Sequence, residues 1–171
     1  ENFCIKKEDY LDENGGIILA NPNAPTSIAV GVDFIEDIVK NNQDSIVVVD
    51  EAYIDFGGES AFPLLEKYEN LLVVQTFSKS RSMAGARLGF GVGNPAIIAD
   101  LNTVKYSINP YNVNRMTAAA GVAALCDNDY YMDNCRTIME NRAYTTDALR
   151  DLGFEVLPSL TNFVFAKNLE R

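Results

Sequence analysis

Apolar and polar positions along the chain fall into blocks of two kinds. Residues 16–20, 45–50 and 71–76 are short apolar runs without alternation, the mark of strands buried on both faces. Residues 88–92 (Leu-Gly-Phe-Gly-Val) form a further candidate strand, whose glycines suggest close backbone approach. The other blocks have helical period. In residues 32–40, Phe34, Ile35, Ile38 and Val39 recur on one face with Asp33, Glu36 and Asp37 between them, and Asn41-Asn42 ends the segment. Helices are also expected at about 96–104, 114–126 and 130–152, the last stopped by Gly153 as a left-handed cap. Residues 154–157 and 162–166 then read as two strands around Pro158.

Strands alternating with helices predict an α/β fold: a mostly parallel sheet with helices on both faces, in three α/β/α layers. Residues 1–152 are expected to form the main unit, and 153–171 to open a second, smaller domain. In such sheets ligands sit beyond the carboxyl ends of the strands. Polar residues cluster there: Asn21 and Asn23 follow the first strand, Asp50 closes the second and Thr76 the third.

Composition narrows the chemistry. The 171 residues can bury roughly 70% of their unfolded surface, so a core needs neither disulfides nor metal. A net charge of −10 argues against nucleic acid as a partner. With no histidine, a Ser-His-Asp triad, a Cys-His pair and an H-E-x-x-H zinc site are all excluded within this span. Cys4, Cys126 and Cys135 match no C-x-x-C pattern, which suits a reducing cytoplasm. No apolar run is long enough to span a membrane. The chain opens on Glu1 rather than Met and reads as a fragment.

Asp50 ends an apolar strand and is followed by Glu51, Ala52 and Tyr53. A carboxylate there is partly desolvated and needs a partner, either a ligand or a cap or surface ion pair. Apolar residues leading into Asp-Glu also suit the magnesium strand of a P-loop ATPase, but the G-x-x-x-x-G-K-[ST] run is absent. In Thr76-Phe77-Ser78-Lys79-Ser80-Arg81-Ser82-Met83-Ala84-Gly85-Ala86-Arg87, a lysine sits among small and hydroxyl residues that leave room for a bulky ligand. Arg87, in a Gly/Ala-rich setting, could donate two bonds at once to phosphate oxygens.

These segments resemble the fold-type I pyridoxal-phosphate-dependent aminotransferases. The run from Thr76 to Ser80 with Ala84 to Gly89 is similar to their lysine motif. Asp50-Glu51-Ala52-Tyr53 resembles their aspartate–tyrosine motif, and Asn21-Pro22-Asn23-Ala24-Pro25-Thr26 their Asn-Pro-Thr-Gly loop. Within that family, Pro110-Tyr111-Asn112-Val113-Asn114 and residues 50–56 look most like the histidinol-phosphate aminotransferases.

The resemblance implies pyridoxal 5'-phosphate as cofactor. Lys79 would hold it covalently and then move the substrate α-proton, and Asp50 would keep the pyridine nitrogen protonated. Tyr53 would bond the ring's phenolic oxygen. Thr76 and Arg87 would hold the phosphate, with Ser78 a further candidate. Ala24 stands where many relatives have Asn, and Ser27 where they have Gly, so the ring oxygen would rely on Tyr53 or on Asn23. Tyr111, Asn112 and Asn114 would lie near the dimer interface and the active site, or Asn112 or Asn114 would simply cap the next helix. No metal site is expected.

The implied reaction moves an amino group between histidinol phosphate, or a similar donor, and a 2-oxo acid such as 2-oxoglutarate, in a homodimer. A family member would be longer, with the substrate-carboxylate Arg outside this span, so the span alone is expected to turn over little. The rival readings are a decarboxylase of an O-phosphorylated amino acid that uses the same cofactor, a nucleotide-driven ATPase fragment, and a non-catalytic module.

Overall fold

The computed structural model describes residues 3–168. Strands β1 (Ile17–Ala20), β2 (Val47–Asp50) and β3 (Leu71–Thr76) lie side by side and parallel, and β4 (Gly89–Gly93) joins β3 antiparallel. Ala20 is opposite Asp50, and Asp50 is opposite Val74, so the three carboxyl ends finish together. The expected mostly parallel α/β sheet is present.

The strand period decides what is buried. Ile17 and Leu19, Val47 and Val49, Leu71 and Val73 point to one face. There they meet Ile35, Ile38 and Val39 of α1 (Val32–Asn41) in one core. Each fully buried aliphatic side chain contributes about 1.5–3 kcal/mol. Cover on the opposite face is incomplete within this span, where Ile18 is 79% exposed.

The β2–β3 connection shows no helical period in sequence, and it forms two short 3-10 turns, Ile54–Phe56 and Phe62–Glu66. After β4 come α2 (Pro95–Ile108), α3 (Arg115–Cys126) and the 24-residue α4 (Asn128–Asp151). The Asn114 side chain accepts from Thr117 N at the start of α3, which is the capping role. Gly153 adopts φ 84° after α4, as expected of a left-handed stop.

A separate antiparallel pair follows, β5 (Phe154–Val156) and β6 (Ala166–Asn168). The second strand thus lies later than the expected 162–166. Ser159 Oγ and Thr161 Oγ1 both donate to the Phe163 carbonyl, at 2.6 and 3.0 Å, and hold residues 159–163 in a turn. Such local side-chain bonds compete with a strand ladder. Among the described residues no helix is long and apolar enough to cross a membrane.

Candidate active site

The sequence-predicted residues lie on three neighbouring segments at the carboxyl ends of β1, β2 and β3. Asn21 N donates to Asp50 O at 2.9 Å, and Glu51 N to Val74 O at 2.8 Å, so each strand exit is tied to the next. Buried Asn21 also bonds the backbone of Val30 through its amide, with Val30 N donating at 2.8 Å. This closes the loop carrying Asn23. In that loop the Asn21–Pro22 and Ala24–Pro25 peptides are cis, and Ser27 N donates to Asn23 O.

Ser27, at the usual glycine position, takes the left-handed φ of 65° and is fully buried. Its Oγ donates to Thr26 O and to Pro158 O, the latter at 3.1 Å. A hydroxyl therefore secures a conformation that glycine adopts at no steric cost.

Asp50 is half-buried and accepts from Ala52 N at 3.0 Å. Its neighbour Glu51 faces the other side of the strand and is 1% exposed. There it accepts from Ala61 N at 2.6 Å and from Ser60 Oγ and Gln75 Nε2 at 2.8 Å each. Burial raises the Glu51 carboxyl above its ordinary value, against the lowering effect of those bonds. The two adjacent carboxylates consequently point to opposite faces. They do not form the joint metal-binding pair that the ATPase reading requires.

Residues 77–88 form a loop closed at its neck. The Leu88 carbonyl accepts from Phe77 N at 3.0 Å and from Thr76 Oγ1 at 3.4 Å. Thr76 Oγ1 also accepts from Ser78 N at 3.1 Å, so this hydroxyl caps the strand end as well as facing the loop. Lys79, half-buried, holds its ammonium 5.1 Å from the centroid of the Tyr53 ring. Tyr53 in turn packs edge-on against Phe163, with centroids 5.3 Å apart. Arg87 is exposed with φ 53° and donates to Ala84 O at 3.2 Å.

Among the described residues, none of Lys79, Asp50 and Arg87 forms a salt bridge. An amine, a carboxylate and a guanidinium at one end of a sheet, without charge partners, have the donor set for an anionic aldehyde with a basic ring nitrogen. Pyridoxal phosphate fits it.

Three participants were not foreseen: Asp55, Ser80 and Arg81. Ser80 Oγ and Arg81 Nη1 donate to the same Asp55 oxygen, at 2.5 and 3.4 Å. Arg142 of α4 donates to Phe56 O and Thr161 O, at 2.9 and 2.6 Å, and ties the long helix to the same turn.

The sequence matches the aminotransferase class I and II family over residues 2–171, and the chain belongs to that family. It is 50% identical to the histidinol-phosphate aminotransferase of Brachyspira hyodysenteriae over 166 residues, which are 96% of this chain and 47% of the relative. It is 51% identical to histidinol-phosphate aminotransferase 2 of Dechloromonas aromatica, covering 100% of this chain and 48% of that protein. The chain therefore spans about half the length of the curated relatives it matches. Among solved structures, histidinol-phosphate aminotransferase from Sinorhizobium meliloti, in complex with pyridoxal-5'-phosphate, superposes with a TM-score of 0.80 at 29% identity. The overlap is 89% of this chain and 42% of that one.

Proposed function

We propose that this chain carries the cofactor-binding part of a pyridoxal-phosphate-dependent aminotransferase, one that exchanges an amino group between histidinol phosphate and 2-oxoglutarate. The observation that carries this reading is the Lys79 ammonium over the Tyr53 ring, at the sheet end where β2 finishes in Asp50 and the loop bearing Arg87 leads back into β4. The substrate assignment is supported by the names of relatives that are half-identical across the whole span.

Each residue type suits its task. Lys79 would bind the cofactor covalently and, once the substrate amine has displaced it, the freed Lys79 amine would hold and return the proton at the substrate α-carbon. The Asp50 carboxylate keeps a proton on the pyridine nitrogen. Tyr53 donates to the ring's phenolic oxygen, with Asn23 the alternative donor. Arg87, Thr76 and Ser78 hold the phosphate. Arg87 leads because the Thr76 hydroxyl already serves Leu88 and Ser78. When bound, pyridoxal phosphate supplies the electron sink that lets the substrate α-proton leave.

Residues 1–152 belong to the cofactor domain on this reading, and 153–171 begin a smaller one, consistent with the separate β5–β6 pair. A homodimer is part of the same reading. It is supported by the apolar side chains exposed around the α2–α3 link, Ile108, Tyr111 and Met116.

The test is an assay of the intact protein, loaded with pyridoxal phosphate, on histidinol phosphate and 2-oxoglutarate. Glutamate formation is expected. Carbon dioxide release from an O-phosphorylated amino acid, without glutamate, would move the assignment to the decarboxylase alternative.

A further inference from the structure

Asp55 lies two positions after Tyr53, and Ser80 and Arg81 directly follow Lys79. The three meet through one carboxylate oxygen, Asp55 Oδ2. Ser80 is buried, and the Arg81 side chain is 9% exposed. The Arg81 guanidinium is bracketed by two rings, Phe77 at 5.2 Å and Tyr131 of α4 at 4.2 Å. Its Nε has no acceptor. Among the described residues, no other hydrogen bond or ion pair joins residues 77–83 to residues 51–56.

A charge-assisted bond from a buried guanidinium and a short bond from a buried hydroxyl fix the carboxylate in direction as well as in distance. Both donors are neighbours of Lys79, and the acceptor shares a turn with Tyr53. The relative placement of amine and ring therefore depends on this contact. We propose that Asp55 is a positioning residue, acting through Ser80 and Arg81 to set the Lys79 amine against the Tyr53 ring. This rests on the reading of Lys79 as the cofactor-binding amine. Asp55 touches neither cofactor nor substrate in it. Its effect is on how far the amine strays from the reacting geometry, and a small displacement is costly there.

The experiment uses the intact protein and compares wild type with Asp55→Ala, Asp55→Asn and Asp55→Glu. Ile38→Val is the control, since it weakens the α1 core away from this contact. The first readout is the rate at which apo-protein captures pyridoxal phosphate on Lys79, trapped with borohydride. The second is the visible circular dichroism of the bound cofactor, which reports its orientation. The third is the split between kcat and KM.

Asp55→Ala is expected to slow capture and lower kcat about tenfold or more. It should weaken the dichroic band and leave KM within about twofold of wild type. Asp55→Glu should recover part of each, and Ile38→Val should lower Tm while leaving capture and dichroism at wild-type values. Should Asp55→Ala not fold, Asp55→Asn, which keeps an acceptor for Ser80, carries the same comparison. Wild-type capture and dichroism in the Asp55 variants, with only a lower Tm, would overturn this inference alone. Absence of labelling at Lys79 in wild type would overturn the cofactor reading and this inference with it.

Discussion

The Lys79 ammonium lies 5.1 Å from the centroid of the Tyr53 ring, although the two residues leave different strands. Tyr53 follows β2, and Lys79 follows β3. Parallel pairing brings their exits together because Asp50 sits opposite Val74. Sheet register therefore brings the two residues within reach of each other. The contact holds a cation over an aromatic face, an arrangement worth about 0.5–1 kcal/mol at exposed sites and more when desolvated.

Tyr53→Phe separates ring from hydroxyl. The ring under Lys79 and its edge contact with Phe163 survive, so covalent capture of pyridoxal phosphate should persist. Loss of a hydrogen bond to a charged oxygen should lower kcat roughly tenfold to a hundredfold. Steady-state kinetics check this, and an unchanged kcat would make Tyr53 a packing residue only.

Asp50→Asn keeps an oxygen able to accept from Ala52 N, so the strand end should hold and Tm of the apo-protein should move little. The charge is lost. Cofactor affinity should fall, and kcat should drop on the order of a hundredfold, the scale of breaking a desolvated ion pair. A thermal melt of apo-protein together with kcat separates the two effects.

Glu51 lies on the other face of the same strand end, and replacing it acts on stability. Its folded carboxyl keeps its proton to higher pH than the ordinary 4.5 of the unfolded chain. Between those two values the native state binds more protons, so ionisation of Glu51 lowers stability as pH rises through the window. Glu51→Gln should therefore gain on wild type as pH increases from about 4.5 upward and lose that advantage below it. Glu51→Ala strands three donors and should cost about 1–3 kcal/mol. Urea melts at several pH values measure both.

Ser27 offers a backbone test. Both Ser27→Gly and Ser27→Ala lose the bond to Pro158 O, but only glycine accepts a φ of 65° without strain. Glycine should be better tolerated by about 1 kcal/mol. A reversed order in urea melts would mean that this loop relaxes out of the left-handed region.

Much of this was readable from residue order. The apolar runs at 46–49 (Ile-Val-Val-Val) and 71–74 (Leu-Leu-Val-Val) read as strands, and the polar residues ending them marked the ligand-facing end. Gly153 announced a helix stop by residue type, while the cap was narrowed only to Asn112 or Asn114, of which the structure selects Asn114. The Asp55–Ser80–Arg81 contact was not readable, because its partners are far apart in sequence and meet only through strand register. Nor was the facing of Glu51, since adjacency to Asp50 suggested a shared site where the pleat sends neighbours to opposite sides. The last strand begins later than residue 162 because the Ser159 and Thr161 hydroxyls take the Phe163 carbonyl, a local contact that the apolar pattern of 162–166 does not reveal.

The most direct measurement is borohydride reduction of the intact protein in the presence of pyridoxal phosphate, followed by peptide mapping. A single phosphopyridoxyl group on Lys79, abolished in Lys79→Ala, is the expected result. Label spread over surface lysines such as Lys40 and Lys67, with Lys79 unmodified, would contradict the assignment of the cofactor to this site.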